Sequence, residues 1–447
     1  MPQGARNDRK VGFVAGLREG TRVTLGAVGR EYVVGQTLGV GGQGAVYRLT
    51  SPCGKQPLAA KWYHPAAASP TQRQRVEHLI ARGRPSSAFL WPIDLITAAD
   101  DPGFGYAMPL RDARLVPLAV LMAARKRLRL AAACAAAEQL ADAFLALHAS
   151  GLCYADISFG NVFLDPNSGA VQICDNDNVG VDGARTDVLG TPYFMAPEVV
   201  RGEAAPSRET DRFSLAVLLF CLLTRHHPLL GAREQRVENL DATSLITLFG
   251  DDPVFIFDPD NGSNRPVPGV HDNVLVIWPV LPGFVRRLFL RSFTLGLRDA
   301  RTGRVAESEW RRCMRRLRHL TLQCQRCGAE QFFDPDGPNG QRCAAPDCGE
   351  PLGRPVLLEA GTTIVLQPGR IVWPDDLTTT PTGGVGPVAE VLLNARTGAL
   401  GLRNASDSAW TLLRANMPPT TIASGQAIVM RDGMRLVIGE LTCRLVV

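Results

Sequence analysis

The sequence predicts an α+β chain of several domains, and three observations carry that expectation. Apolar runs broken by glycines follow Tyr32, helical spacing dominates 113–320, and short β-type runs fill the chain from about 355. At 447 residues, and about 150 residues per domain, roughly three units are expected.

Residues 1–29 are polar and lack a sustained period, which suggests a tail or a first strand. From Tyr32, through Val46-Tyr47-Arg48-Leu49 and Leu58-Ala59-Ala60-Lys61-Trp62, the pattern is that of a twisted antiparallel sheet filling a unit at 30–112, with a helix at about 70–82. Residues 113–150 and 209–225 carry alanine- and leucine-rich helical spacing inside a second unit at 113–320. A proline- and glycine-rich stretch, DDPVFIFDPDNGSNRPVPGV, interrupts it. A cysteine-bearing segment at 321–353 follows. The runs VLLEA, TTIVLQ, AEVLLN, AWTLL, AIVM, RLVIG and CRLVV then predict a small all-β sandwich or barrel over 354–447.

Hydrophobic residues make up 45% and charged residues 20%, a globular balance. No apolar run reaches the roughly 18 to 20 residues needed to cross a bilayer, and the first residues show no secretion signal, so a cytoplasmic protein without a membrane span is expected. Net charge is +5, with arginines concentrated in RRLFLRSF and WRRCMRRLRHL. At helical spacing these form a charged face on a packed helix. A solvated face of a packed helix outweighs a nucleic-acid patch as the reading of these arginines, so no nucleic-acid partner is expected.

Gly39, Gly41 and Gly44 lie between two predicted strands in G-x-G-x-x-G-x-V, ending at Val46. Missing side chains let backbone N–H groups approach phosphates; the bland reading is a tight hairpin. Lys61 sits in an apolar strand, where an ammonium needs an anionic partner. Glu77 on the following helix can supply one. Further on, Asp156, Asn161 five residues later and Asp175 fourteen beyond that could hold a nucleophile and two metal ions around a polyphosphate.

In this order and spacing, residues 32 to 320 resemble the eukaryotic-type (Hanks-type) serine/threonine protein kinases, which implies a bilobal protein-kinase fold binding ATP with magnesium or manganese and acting on protein substrates. The resemblance places Gly39, Gly41, Gly44, Val46 and Ala59 around the nucleotide. It makes Lys61 the lysine on the α and β phosphates and Glu77 its helix partner. Tyr154-Ala155-Asp156 stands at His-Arg-Asp, so Asp156 matches the catalytic base and Asn161 the second-metal ligand. Asp175 opens Asp-Asn-Asp at Asp-Phe-Gly and matches the principal magnesium ligand. Gly190-Thr191-Pro192 and Ala196-Pro197-Glu198 look like the docking segment and its anchor, Asp211 like the family's structural aspartate, and Arg304 is positioned to pair with Glu198.

Several positions depart from the family. Ser158 replaces the lysine that neutralises the transferred phosphoryl group. Ala155 replaces the arginine that reads activation-loop phosphorylation, so a phosphate on Thr186 is not required as a clamp. Asn176 and Asp177 replace phenylalanine and glycine. The retained acids and Lys61 favour an active phosphotransferase; the alternative is a catalytically weak or silent pseudokinase scaffold that binds partners through its carboxy-terminal modules.

Cys324 and Cys327 form C-x2-C, and Cys343 and Cys348 form C-x4-C. Two thiol pairs on glycine-bearing turns suit a structural zinc ribbon, with disulfides or an iron–sulfur cluster as alternatives. The final unit resembles a forkhead-associated sandwich through Gly369-Arg370, Gly401-Leu402-Arg403-Asn404 and Arg435-Leu436-Val437-Ile438-Gly439. Arg370 alone carries over as a phosphothreonine contact, since 371–400 contain neither serine nor histidine. A docking module is the expected role. Kinase, ribbon and sandwich in this order resemble the bacterial kinases of the tellurite-resistance-associated phosphorylation triad. That resemblance implies a metal-dependent phosphatase and a von Willebrand A-type domain protein as partners.

Overall fold

In the computed structural model, the residues described are 16–26, 29–52, 57–123, 128–184, 190–237, 241–338, 340–353, 355–378, 384–414 and 417–447. Thr186 and residues 1–15 lie outside them.

The amino-terminal lobe is a closed antiparallel barrel rather than an open sheet. Its strands are β1 (Arg22–Leu25), β2 (Arg30–Val40), β3 (Gly44–Thr50), β4 (Leu58–Tyr63), β5 (Asp94–Ala98) and β6 (Asp101–Pro109), ordered β1-β2-β3-β4-β6-β5. Closure comes from β1, which pairs with both β2 and β5 and so removes two sheet edges at once. Val23, Leu25, Tyr32, Val34, Tyr47, Leu49, Trp62 and Ile96 fill the interior. Two glycines are demanded by strand contact: a Cβ on Gly44 would fall 2.2 Å from the Trp62 carbonyl oxygen, and one on Gly105 2.2 Å from that of Lys61.

Helix α1 (Pro70–Arg82) begins where Ser69 accepts a hydrogen bond from the Gln72 amide and Pro70 pre-sets the first turn. It buries Gln72, Val76 and Leu79 against the barrel and the neighbouring lobe. In the carboxy-terminal lobe, α2 (Leu118–Ala123) and α3 (Leu130–Ala149) precede two short hairpin strands, Val162–Leu164 and Val171–Ile173. There follow α4 (Pro197–Val200) and α5 (Arg208–Thr224), the latter opened by a Ser207–Thr210 capping box. By length and composition alone α3 could cross a bilayer, contrary to the sequence expectation. Here it is a core helix, with Ala136, Ala137, Leu140, Ala141, Phe144 and Leu147 buried against α5 and the helix Glu307–His319. Four arginines of that last helix meet carboxylates: Arg311 with Asp142, Arg315 with Glu138, Arg316 with Asp336, and Arg318 with Glu138 and Asp376.

A two-stranded hairpin, Thr321–Gln323 with Glu330–Phe332, leads into the cysteine segment. The seven β-type runs predicted beyond 355 are all strands, joined by Ile371–Val372, Leu400–Asn404 and Thr420–Ile422. They form a six-stranded and a four-stranded sheet around a core of Leu358, Ile364, Val391, Leu402, Trp410, Leu412, Leu436 and Leu445. The sandwich meets the helical lobe at Asp376, which accepts from His319 Nε2 at 2.9 Å and Arg318 Nη2 at 3.2 Å. Arg370 is half-buried in this seam, where burial pushes its guanidinium below its usual pKa and Asp376 opposes that shift.

Candidate active site

The site begins with a buried cation. Strand alternation turns Ala60 and Trp62 into the barrel and Lys61, with Ala59 and Tyr63, to the opposite face of β4 toward α1, where Lys61 is 5% exposed. Its Nζ donates to Asp175 Oδ1 at 2.6 Å, to both oxygens of Asp177 at 2.9 Å and to Gln43 Oε1 at 3.1 Å. Glu77, predicted to be the partner of Lys61, is not: it lies half-exposed on the outer face of α1 and pairs with Arg73 at 3.1 Å. The inward position of that helix belongs to Gln72. Its Nε2 donates to Tyr63 Oη at 3.0 Å and reaches Asp177 Oδ2 at 3.5 Å.

Asp177 is fully buried. Besides Lys61 it accepts from Tyr63 Oη at 2.5 Å and Tyr106 Oη at 2.9 Å. Burial works against its charge, but Lys61 and the hydroxyl donors outweigh burial and hold its pKa below the usual carboxylate value. Asp175 is shifted the other way, raised by burial and by the Asp177 charge despite Lys61. For Lys61, burial favours the neutral amine, yet the two carboxylates prevail and raise its pKa. Tyr63 and Tyr106 are pushed up by burial and by Asp177, so they remain phenolic donors. One ammonium therefore serves two carboxylates.

Backbone geometry brings those carboxylates together. Asp175 adopts a left-handed conformation, φ 57° and ψ 39°, followed by a 3-10 turn at Asn176–Asn178. A non-glycine residue there is strained. The turn reverses the chain so that Asp175 and Asp177 converge on Lys61. Asn176 stays buried, its Nδ2 donating to the Ile173 carbonyl.

Asp156 approaches from the neighbouring loop, tied to the Asp175 strand by the Cys174 amide on the Asn161 carbonyl at 2.9 Å. Asp156 Oδ1 accepts from Thr191 Oγ1 at 2.6 Å and Oδ2 from Asn161 Nδ2 at 2.9 Å. With Nδ2 so engaged, Asn161 Oδ1 and the Asp175 carboxylate are hard oxygen donors of the kind magnesium or manganese takes. Asp211 holds the loop from below, accepting the amides of Tyr154 at 2.6 Å and Ala155 at 3.0 Å. His148 bridges Asp211 Oδ2 at 3.0 Å and Glu307 Oε1 at 2.8 Å. Burial opposes its charge, but two acceptors on two ring nitrogens raise its pKa to about 9. Glu307 is held at about 2, burial being overcome by His148 and Arg212. Arg304 donates from Nη1 and Nη2 to the two oxygens of Glu198, both at 2.7 Å, the pairing expected from sequence.

The glycine loop closes over this cluster. Gly41 N–H meets the Gly44 carbonyl at 2.9 Å, and Gln43 turns inward to bridge Lys61 and Asn178 Oδ1 at 3.1 Å. Of its three motif glycines, Gly44 is packed against β4, whereas a Cβ at Gly39 would meet nothing within 4 Å. Val46, Ala59, Tyr106, Met108, Leu110 and Cys174 form an apolar cluster beneath it.

The cysteine segment forms a second centre. The Sγ atoms of Cys324, Cys327, Cys343 and Cys348 all lie within 4.8 Å of one another. Cys324–Cys348 is 3.8 Å and Cys327–Cys343 3.6 Å, too long for disulfide bonds of about 2.05 Å. A tetrahedral ion with bonds of about 2.3 Å to sulfur has edges of about 3.8 Å, so four thiolates here fit zinc. Left-handed Gly328 and Gly349 follow the second cysteine of each pair and turn the chain back.

A two-lobed fold with a lysine, paired acids and a glycine loop at its cleft defines a polyphosphate-handling class of protein. The protein kinase domain family matches residues 32–261, more than half of the chain, and the chain belongs to that family. It is similar to the serine/threonine-protein kinase PkaB of Streptomyces coelicolor, 26% identical over 269 residues, or 57% of this chain and 58% of that protein. CBL-interacting protein kinase 4 of Oryza sativa is 36% identical over 110 residues, 23% of this chain and 24% of that one. PknK of Mycobacterium tuberculosis is 37% identical over 92 residues, 20% of this chain and 8% of that one. The chain spans less than two thirds of these relatives.

Sequence reasoning missed Asp177 as a partner of Lys61, and with it Gln72, Gln43, Tyr63 and Tyr106. The available signal was an acid at a glycine position between two apolar runs, VQIC and VGV.

Proposed function

We propose that this chain is a protein kinase that transfers the γ-phosphoryl group of ATP, with magnesium or manganese, to serine or threonine hydroxyls of protein substrates. The convergence of Lys61, Asp156, Asn161 and Asp175 on one cleft carries the proposal. Lys61 fixes the donor phosphates and Asp156 orients the acceptor hydroxyl. The Thr191 hydroxyl on Asp156 Oδ1 at 2.6 Å supports that role, because it has the contact an acceptor would make. Asn161 and Asp175 would hold the cation, which supplies charge neutralisation for the phosphates when bound.

A structural zinc in the Cys324, Cys327, Cys343 and Cys348 cage is part of the reading, supported by the sulfur spacing. The sandwich acts as a forkhead-associated-like docking module, and Arg370, placed in the seam, serves packing rather than phosphothreonine. In a bacterial cytoplasm the partners are a metal-dependent phosphatase and a von Willebrand A-type protein. The second reading, a silent scaffold, draws on buried Ser158 standing where a lysine would neutralise the phosphoryl group.

Incubation of the full chain with labelled ATP and magnesium decides between them. Wild type incorporates phosphate into protein substrates and Asp175→Ala does not; equal incorporation by both refutes the enzyme.

A further inference from the structure

We propose that Asp177, and not a glutamate of helix α1, is the positioning residue that holds Lys61 for the donor phosphates. This rests on the kinase reading and identifies how that site keeps its lysine.

Lys61 has two carboxylate partners, and they differ in what they can do. The Asp175 side chain is 37% exposed, is bonded to Lys61 through Oδ1 and reached by Asn178 Nδ2 at Oδ2 only at 3.5 Å, and follows Cys174, whose amide meets the Asn161 carbonyl. It is free to exchange the ammonium for a cation. Asp177 is sealed, 0% exposed, bonded to Lys61 through both oxygens and fastened by Tyr63, Tyr106 and Gln72. Three elements, β4, β6 and α1, must move before that carboxylate can. Asp175 is thus a releasable partner and Asp177 a permanent one.

Helix α1 supplies no charge to this pair. Its inward side chain is the amide of Gln72, whereas Glu77 points out to Arg73. Movement of α1 would loosen the Gln72 contact but leave the counter-charge of Lys61 in place, because Asp177 lies in the turn Asn176–Asn178, directly after Asp175. One short segment carries both the metal-facing acid and the lysine-facing acid.

The test uses the full chain and four proteins: wild type, Glu77→Ala, Asp177→Asn, and the exchange Gln72→Glu/Asp177→Asn, which moves the carboxylate onto α1. KM for ATP, kcat, and the rate at which an amine-acylating reagent modifies Lys61, read by peptide mass spectrometry, are measured. Glu77→Ala matches wild type in all three. Asp177→Asn raises KM for ATP or lowers kcat by tenfold or more, and Lys61 is acylated faster because its ammonium has lost its bidentate partner. The exchange variant recovers at least half of the lost kcat/KM on a logarithmic scale. Equal losses in Glu77→Ala and Asp177→Asn, or unchanged Lys61 reactivity in Asp177→Asn, overturn the proposal. Should Asp177→Asn fail to fold, the exchange variant decides: folded with slow Lys61 acylation upholds it, and fast acylation overturns it. Lys61 acylation reports on Asp177 even where no phosphate is transferred, so failure of the kinase reading is seen separately, in the wild-type turnover.

Discussion

Deprotonation of His148 is a perturbation that reaches the Asp156 loop from inside the helical lobe. Its ring lies between Asp211 and Glu307, and Asp211 in turn holds the amides of Tyr154 and Ala155. A neutral imidazole can donate to one of the two carboxylates but not both. The folded pKa of about 9, against 6.5 for the unfolded chain, is worth about 3 kcal/mol at roughly 1.4 kcal/mol per tenfold change in proton affinity. Because the folded value is the higher one, this contribution is complete below pH 6.5 and disappears as pH rises through 9. Urea unfolding of wild type and His148→Gln at intervals from pH 6 to pH 10 measures it as the difference between the two proteins. That subtraction removes tyrosines and cysteines that titrate in the same range. Wild type exceeds the variant most at pH 6, and the excess shrinks by about 2 to 3 kcal/mol by pH 10. Amide exchange at Tyr154 and Ala155 accelerates over the same interval. An excess that stays constant between pH 6.5 and 9.5 would mean that His148 is not a buried cation and that Asp211 holds the loop without it.

Arg304→Met strands Glu198 in a partly buried site and costs about 3 kcal/mol of unfolding free energy; a loss below about 1 kcal/mol would reduce the pair to a surface contact. Cys343→Ser/Cys348→Ser lowers zinc from one per chain to none by elemental analysis and unprotects amides in 321–353; unchanged metal content rules out the thiol cage. Gln43→Ala frees Lys61 and Asn178 from two hydrogen bonds of about 1 kcal/mol each, so ATP with magnesium binds severalfold more tightly by calorimetry. Weaker binding would show that Gln43 assists the nucleotide instead of occupying its place.

Local chemistry made much of this molecule legible. The helix Pro70–Arg82 lies where the sequence placed one at about 70–82, the seven β-type runs became strands, and the thiol quartet followed from spacing alone. Motif order likewise pointed to Lys61, Asp156, Asn161 and Asp175 as one site, and to Glu198 with Arg304 as a pair. These are short-range patterns or residue types whose burial has few solutions. Barrel closure by β1 was not legible, since strand pairing over about 70 residues depends on where both edges arrive in space.

The partner of Lys61 marks the division most clearly. Sequence required that an ammonium in an apolar strand find an anion, and Glu77 on the following helix was the partner it offered. Which one it meets depends on the rotation of α1, which turns Glu77 to solvent and Gln72 inward, and on the left-handed turn at Asp175, which swings Asp177 into the core. The need for a counter-charge is a property of the residue and its strand, so the sequence alone determined it. The choice of counter-charge is a property of three packed elements, and only the tertiary structure decided it.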